Sequence, residues 1–156
     1  MEQLLSYRDQ LISRLERSVD EFCEACLRAG DVHRHGDGWN IHQTVVHLRD
    51  AHRLVYGLRA RRTAEQDNPL FEDFDQDAWM AAHYDPGEPL DQALAELKKN
   101  VLDLAKWLRH QPPETWARES RHEVMGGGFT LQTWVERGLA HIEGHLEEVR
   151  EGKRKT

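Results

Sequence analysis

Leu90, Leu94, Leu97, Val101, Leu104 and Leu108 are spaced four, three, four, three and four residues apart, and this constrains the fold more than any other feature of the chain. At about 100° per residue the spacing draws one apolar line along a helix. A line that narrow has to be covered by neighbouring helices, since leaving it in water forfeits roughly 25 cal/mol for each Å² of apolar surface. Pro89 can open this helix, and Pro112 must stop it.

Three more segments carry the same period. Leu4, Leu5, Leu11, Ile12, Leu15, Val19, Phe22, Cys26 and Leu27 form a first helix that Gly30 closes. Asn40, with Gln43 three residues on, reads as a capping box. It opens a second helix whose apolar face is Ile41, Val45, Leu48, Val55 and Leu58 and which runs to about Arg62. After Gly126-Gly127-Gly128, Thr130 caps a last helix with Leu131, Val135, Leu139, Ile142, Leu146 and Val149 on its core face, ended by Gly152. With almost no alternating apolar pattern between them, the four segments predict an all-α four-helix bundle in one domain, 1–156. The second and third helices are separated by more than twenty residues containing Phe71, Phe74, Trp79 and Tyr84. That is too long for a tight turn and predicts a crossover, with Asp75 capping a short helix through Tyr84.

A net charge of -7 argues against nucleic acid and anionic membrane surfaces as partners. The basic groups Arg59, Arg61, Arg62 and Lys153-Arg154-Lys155 read as solvated helix ends. Charges at Glu2, Arg8, Asp9 and Arg14 interrupt any signal-like apolar run, and no stretch approaches the roughly 18 apolar residues of a membrane span, so the expected location is cytoplasmic. The only cysteines, Cys23 and Cys26, fall late in the first helix, where the expectation is packing rather than redox chemistry.

Ten histidines remain to be explained. His33, His35, His110 and His122 stand beside Gly, Pro or charged neighbours and are expected on the surface. His141 and His145, four apart, lie one above the other on a helix and can chelate one ion. Trp134, Gly138, His141 and His145 form a strip beside the apolar stripe, with Gly138 predicted to leave open space next to the imidazoles. Ile142 follows the first histidine, so the pair is not the zincin motif, which needs Glu there. Glu143 points to a different face. A third ligand must come from another helix. His47, at the margin of the second helix's apolar face, reads either as that ligand or as a core imidazole donating one hydrogen bond. Asp50, one turn on, can orient an imidazole or bind the ion itself. His42, His52 and His83 are weaker candidates.

The segments Gly38-Trp39-Asn40, Val46-His47-Leu48, Gly128-Phe129-Thr130-Leu131 and His141-Ile142-Glu143-Gly144-His145-Leu146, in this order and spacing, resemble the DinB/YfiT-like metal-binding four-helix proteins. The resemblance implies a bundle with a crossover, often a homodimer, in which His47, His141 and His145 bind a divalent ion such as zinc or nickel and leave coordination positions open. Relatives of this kind include S-transferases and an isomerase that use a low-molecular-weight thiol such as bacillithiol or mycothiol. The implied activity is therefore a metal-dependent thiol S-transferase acting on a small electrophile. The alternatives are a metal-dependent hydrolase and a non-catalytic, stress-related metal-binding protein. A basic pocket near the ion would favour the thiol reading. Arg49, Arg53 and Arg137 sit on the right helices, but each reads first as surface charge.

Overall fold

The computed structural model describes the backbone of residues 1–154 and the side chains of residues 1–152. Four long helical rods form the bundle: α1 (Glu2–Arg28), a compound rod, α5 (Leu90–Arg109) and α6 (Leu131–Arg154). The compound rod is α2 (Ile41–Ala51), a π-helical turn over His52–Tyr56, and α3 (Gly57–Glu65). Between it and α5 the crossover carries strand β1 (Leu70–Phe71) and the short helix α4 (Gln76–His83). α1 packs on α5 and α6, and so does the compound rod, which places the first two rods diagonally across the bundle.

Local signals set these boundaries. Asn40 Oδ1 accepts from Gln43 N at 2.8 Å while Gln43 Oε1 accepts from Asn40 N at 2.9 Å, which is the capping box expected at the start of α2. Asp75 caps α4 through Ala78 N, and Thr130 caps α6 through Thr133 N. Gly152 does not end α6, which continues to Arg154. A glycine in an exposed last turn costs only about 1 kcal/mol relative to alanine and need not break a helix.

The core is one cluster in which Leu15, Val19 and Phe22 of α1 meet Leu94, Leu97, Val101, Leu104 and Leu108 of α5, and Leu131, Leu139 and Ile142 of α6. Cys23 and Cys26 are buried in it. The outer positions of the first apolar run, Leu4, Leu5 and Leu27, are exposed. No helix among the described residues is long and apolar enough to cross a membrane.

A small sheet was not anticipated. β2 (Glu119–His122) pairs with β1 in parallel and with β3 (Gly126–Thr130) antiparallel, in the order β1-β2-β3. Its buried positions on β2 are Ser120 and His122, so its inward face is polar and shows no apolar alternation in the sequence. The sheet seats the loop before α6 against the middle of the bundle, since Ser120 Oγ accepts from the indole of the fully buried Trp134 at 2.8 Å.

The π turn shifts the phase of the compound rod. Gly57 N donates to His52 O, five residues back. A Cβ on Gly57 would stand 2.6 Å from that same oxygen, so the turn requires glycine there. Past this point the buried positions are Arg59, Ala60 and Thr63, whereas Leu58, expected on the core face, is 43% exposed. Arg59 was expected in solvent and is buried. The side chains of Lys153 to Lys155 lie outside the described residues.

Candidate metal centre

α2 brings His47 to the bundle interior on the turn after its capping box, and α6 presents His141 and His145 one turn apart. The three side chains offer ring nitrogens that all lie within 4.8 Å of one another. His47 Nε2 is 2.9 Å from His141 Nε2, which is 3.1 Å from His145 Nε2. For comparison, nitrogens about 2.0–2.1 Å from a tetrahedral zinc stand roughly 3.3 Å apart.

The hydrogen bonds around the cluster fix its donor character. His145 Nδ1 lies 2.9 Å from Glu148 Oε2 and, in its neutral form, must donate to that acceptor-only carboxylate. The lone pair of His145 is thereby left on Nε2, facing the other two rings. A proton on His141 Nε2 could serve only part of this arrangement, because that atom faces Nε2 of both His47 and His145, while His141 Nδ1 is buried without a partner in either tautomer. One cation can take all three Nε2 lone pairs, so the residues present fit a divalent ion.

Burial keeps the His47 and His141 rings unprotonated. It holds His47 down to about 4, helped by the neighbouring His145 and opposed by Asp50. His141 is pushed down to about 2, by burial and then by His145, His47 and His52. An imidazole that sheds its proton this readily is ready to coordinate at neutral pH. Trp39 lies against His47 with ring centroids 4.7 Å apart, shielding that side from water.

His52, the weaker candidate on the π turn, is fully buried and close to His141, with ring centroids 6.2 Å apart. Neither of its ring nitrogens makes a hydrogen bond of proper geometry, and burial lowers it to about 4, opposed in part by the nearby Gly138 backbone. It is not in the converging group. His42 bonds Tyr84 and the Glu88 carbonyl, and His83 stacks on Trp79, so both are engaged elsewhere.

Three expectations about the surroundings are corrected. Gly138 leaves no open space: a Cβ there would meet Tyr56 Cβ at 3.2 Å and His52 Cε1 at 3.3 Å, because the π turn presses both side chains against α6. Asp50 holds no ligand imidazole; its carboxylate accepts from Arg49 Nε at 3.0 Å, Arg53 at 3.3 Å and the Trp79 indole at 3.1 Å. Arg49 is buried rather than superficial, because Glu88 and Glu96 join Asp50 around it. Arg53 and Arg137 are exposed as expected. Glu143 turns away from the cluster and pairs with Arg14 at 2.7 Å.

A cavity of about 150 Å³ adjoins the histidines. His47 and His141 form one wall, with Tyr56, Arg59, His122, Trp134 and Arg137 among the others. Tyr56, Arg59 and His122 were missed in the sequence. Arg59 was hidden by the phase shift. His122, expected on the surface, is buried because it is an inward position of β2. Residues 9–149 match the sequence profile of the DinB superfamily.

The chain belongs to the DinB superfamily.

A protein of Oceanobacillus iheyensis with the provisional name of metal-dependent hydrolase is 26% identical to this DinB chain over 115 residues, 72% of the chain. The match spans 66% of that relative's length. Among solved structures, YfiT from Bacillus subtilis superimposes with a TM-score of 0.86 over 95% of this chain and 86% of YfiT, at 21% identity. It too is provisionally described as a metal-dependent hydrolase, with an unusual four-helix-bundle topology. The shared fold is the DinB bundle.

Proposed function

We propose that this chain is a metal-dependent enzyme in which His47, His141 and His145 hold one divalent ion, with zinc and nickel suited to imidazole donors, and that it hydrolyses a small molecule seated in the adjoining cavity. The observation that carries this reading is the convergence of three ring nitrogens at the edge of a cavity, one of them with its lone pair oriented by Glu148. Three protein ligands leave a coordination position open, as catalytic sites do and closed structural sites do not. A divalent ion held there acidifies water and polarises an acyl or phosphoryl oxygen. The chain's own groups do the remainder: Glu148 keeps the proton on His145 Nδ1, Trp134 and Phe74 limit water in the cavity, and Tyr56 backs His141 with ring centroids 5.1 Å apart. The provisional names of the two relatives support hydrolysis.

A second reading is thiol transfer. Burial pushes the Cys23 thiol up to about 11 and Cys26 up to about 12, so neither supplies a thiolate at neutral pH. A low-molecular-weight thiol of the bacillithiol or mycothiol type would have to be brought to the same ion, which would lower its pKa. Arginines on the cavity wall suit the carboxylates of such a cofactor.

Elemental analysis of protein purified from metal-supplemented medium is expected to give about one ion per chain, and His141→Ala to remove it. Ester, amide and phosphoester probes, run beside a model electrophile with bacillithiol, mycothiol, glutathione or no thiol, then separate the reactions. Hydrolysis that chelation abolishes supports the first reading, and conjugation that needs both thiol and metal supports the second. Stoichiometric metal with neither reaction would leave a non-catalytic metal-binding protein. Full occupancy in His141→Ala would sink the site.

A further inference from the structure

We propose that the cavity beside the three histidines recognises a carboxylate on its small-molecule ligand through Arg59 and Arg137. The inference rests on the reading that this cavity is where the reaction occurs, and it names the chemical class bound there.

Arg14, Arg49, Arg53, Arg109 and Arg150 each pair with a carboxylate. Several others among the described residues, Arg59 and Arg137 included, do not, and these two line the cavity of a chain with a net charge of -7. Arg59 is only 7% exposed. Its guanidinium donates to the Glu72 carbonyl at 2.8 Å and stands 5.0 Å from the centre of the Trp134 ring and 5.6 Å from that of Phe71. A backbone carbonyl and two ring faces neutralise no charge, and a buried cation without a counter-ion is costly unless something completes it. Arg137, across on α6, lies over Phe129 at 5.1 Å. The two cations are close enough to disfavour one another: burial holds Arg59 below its ordinary value, Tyr56 and the Asp73 carboxylate, which makes no ion pair with it, partly oppose this, and Arg137 adds to it. Both also act on the Tyr56 hydroxyl.

The other polar groups of the wall agree. His122 Nδ1 accepts from Val124 N and Met125 N, each at 3.1 Å, so its proton sits on Nε2. That nitrogen lies 3.6 Å from Asp73, the one carboxylate lining the cavity. Counting Arg59, Arg137 and Asp73, the side chains of the wall carry one net positive charge before any ion is added, which favours an anionic ligand. A planar guanidinium matches a carboxylate through two parallel hydrogen bonds. Cavities of about 150 Å³ accept molecules the size of benzene, which sets the scale to a short-chain or single-ring carboxylate.

Benzoate and benzamide, matched in shape and different in charge, test this directly, with inorganic phosphate as a third probe. Binding would be followed by ligand-observed NMR and by indole N–H shifts, in the protein as purified and again after chelation. Titrating the chelated protein isolates the arginine wall from direct binding to an ion, so a failure of the triad and a failure of this inference are told apart. We expect benzoate to bind at least about tenfold more tightly than benzamide in both states, and added salt to narrow the gap. Arg137→Gln, at an exposed position, should weaken benzoate by about tenfold and leave benzamide unchanged. Arg59→Gln should do the same where it folds; Arg137→Gln and the benzamide comparison carry the test if it does not. Equal affinities for the two probes, or unaltered benzoate binding in Arg137→Gln, would overturn the proposal. So would phosphate binding more than tenfold tighter than benzoate, which would assign the wall to phosphoryl groups.

Discussion

The interface of α1 with α5 and the seam of the compound rod with α6 use the same helical geometry and bury opposite kinds of side chain. The first closes over Leu15, Val19, Phe22, Leu97 and Val101, with no buried group left unsatisfied. The second encloses His47, His52, Arg59 and His141 beside a cavity, and it holds every unpartnered buried side-chain polar atom among the described residues: both ring nitrogens of His52 and Nδ1 of His141. Each such atom costs about 1–3 kcal/mol of desolvation. A fold can carry that only if another region supplies the surplus, so stability is concentrated on one side of the bundle and chemistry on the other.

Leu97→Ala should break the apolar side by about 3 kcal/mol, through lost burial and the void left behind, while metal content stays unchanged. Chemical denaturation and elemental analysis of the same sample check both halves of that statement. An acid series should act on the histidine side alone. The unfolded chain's imidazoles take up protons near pH 6.5, whereas in the fold His47 and His52 stay neutral to about 4 and His141 to about 2. Below about pH 6.5 the unfolded state therefore binds more protons, and the stability of chelated protein falls as pH falls, by about 1 kcal/mol per pH unit for each imidazole. Leu97→Ala should lower the curve without changing this slope; a flat profile between pH 7 and 5 would mean that the rings are solvated.

Glu148→Gln should sharpen the contrast further. Removing the carboxylate that orients His145 is expected to weaken metal affinity by about tenfold, with little change in the melting point of chelated protein. Competition with a chromophoric chelator measures the first effect. The smallest effect concerns the entry to α2, where Asn40→Ala should cost up to about 1 kcal/mol from the lost cap and leave metal stoichiometry intact. If metal were lost with the cap, His47 would depend on the helix end rather than on the packed seam.

The same division governs what the sequence disclosed. The four rods, the capping box at Asn40 and the short helix after Asp75 were legible because apolar period and cap chemistry are local properties. The four-residue spacing of His141 and His145 was likewise enough to put both on one face. The strands were not legible, since Leu70–Phe71 is too short to show a period and β2 buries Ser120 and His122 in place of apolar residues. Nor was the burial of Arg49, whose partners Glu88 and Glu96 approach from distant parts of the chain. Leu58 and Arg59 were assigned to each other's environments for one reason: a strict 3.6-residue period does not survive the π turn.

That turn makes the lining of the cavity a matter of counting. His47 lies upstream of it and Arg59 downstream, and the extra residue that the turn absorbs sets everything after it back by about 100° relative to an unbroken α-helix. Winding the same residues as ordinary α-helix, without the π turn over His52–Tyr56, would swing a leucine, Leu58, toward the place where the guanidinium of Arg59 now stands. The imidazole of His47 would stay where it is. In this scaffold, the choice between a charged and a greasy cavity wall can be made by the winding of one helical turn, without exchanging any side chain of the histidine cluster.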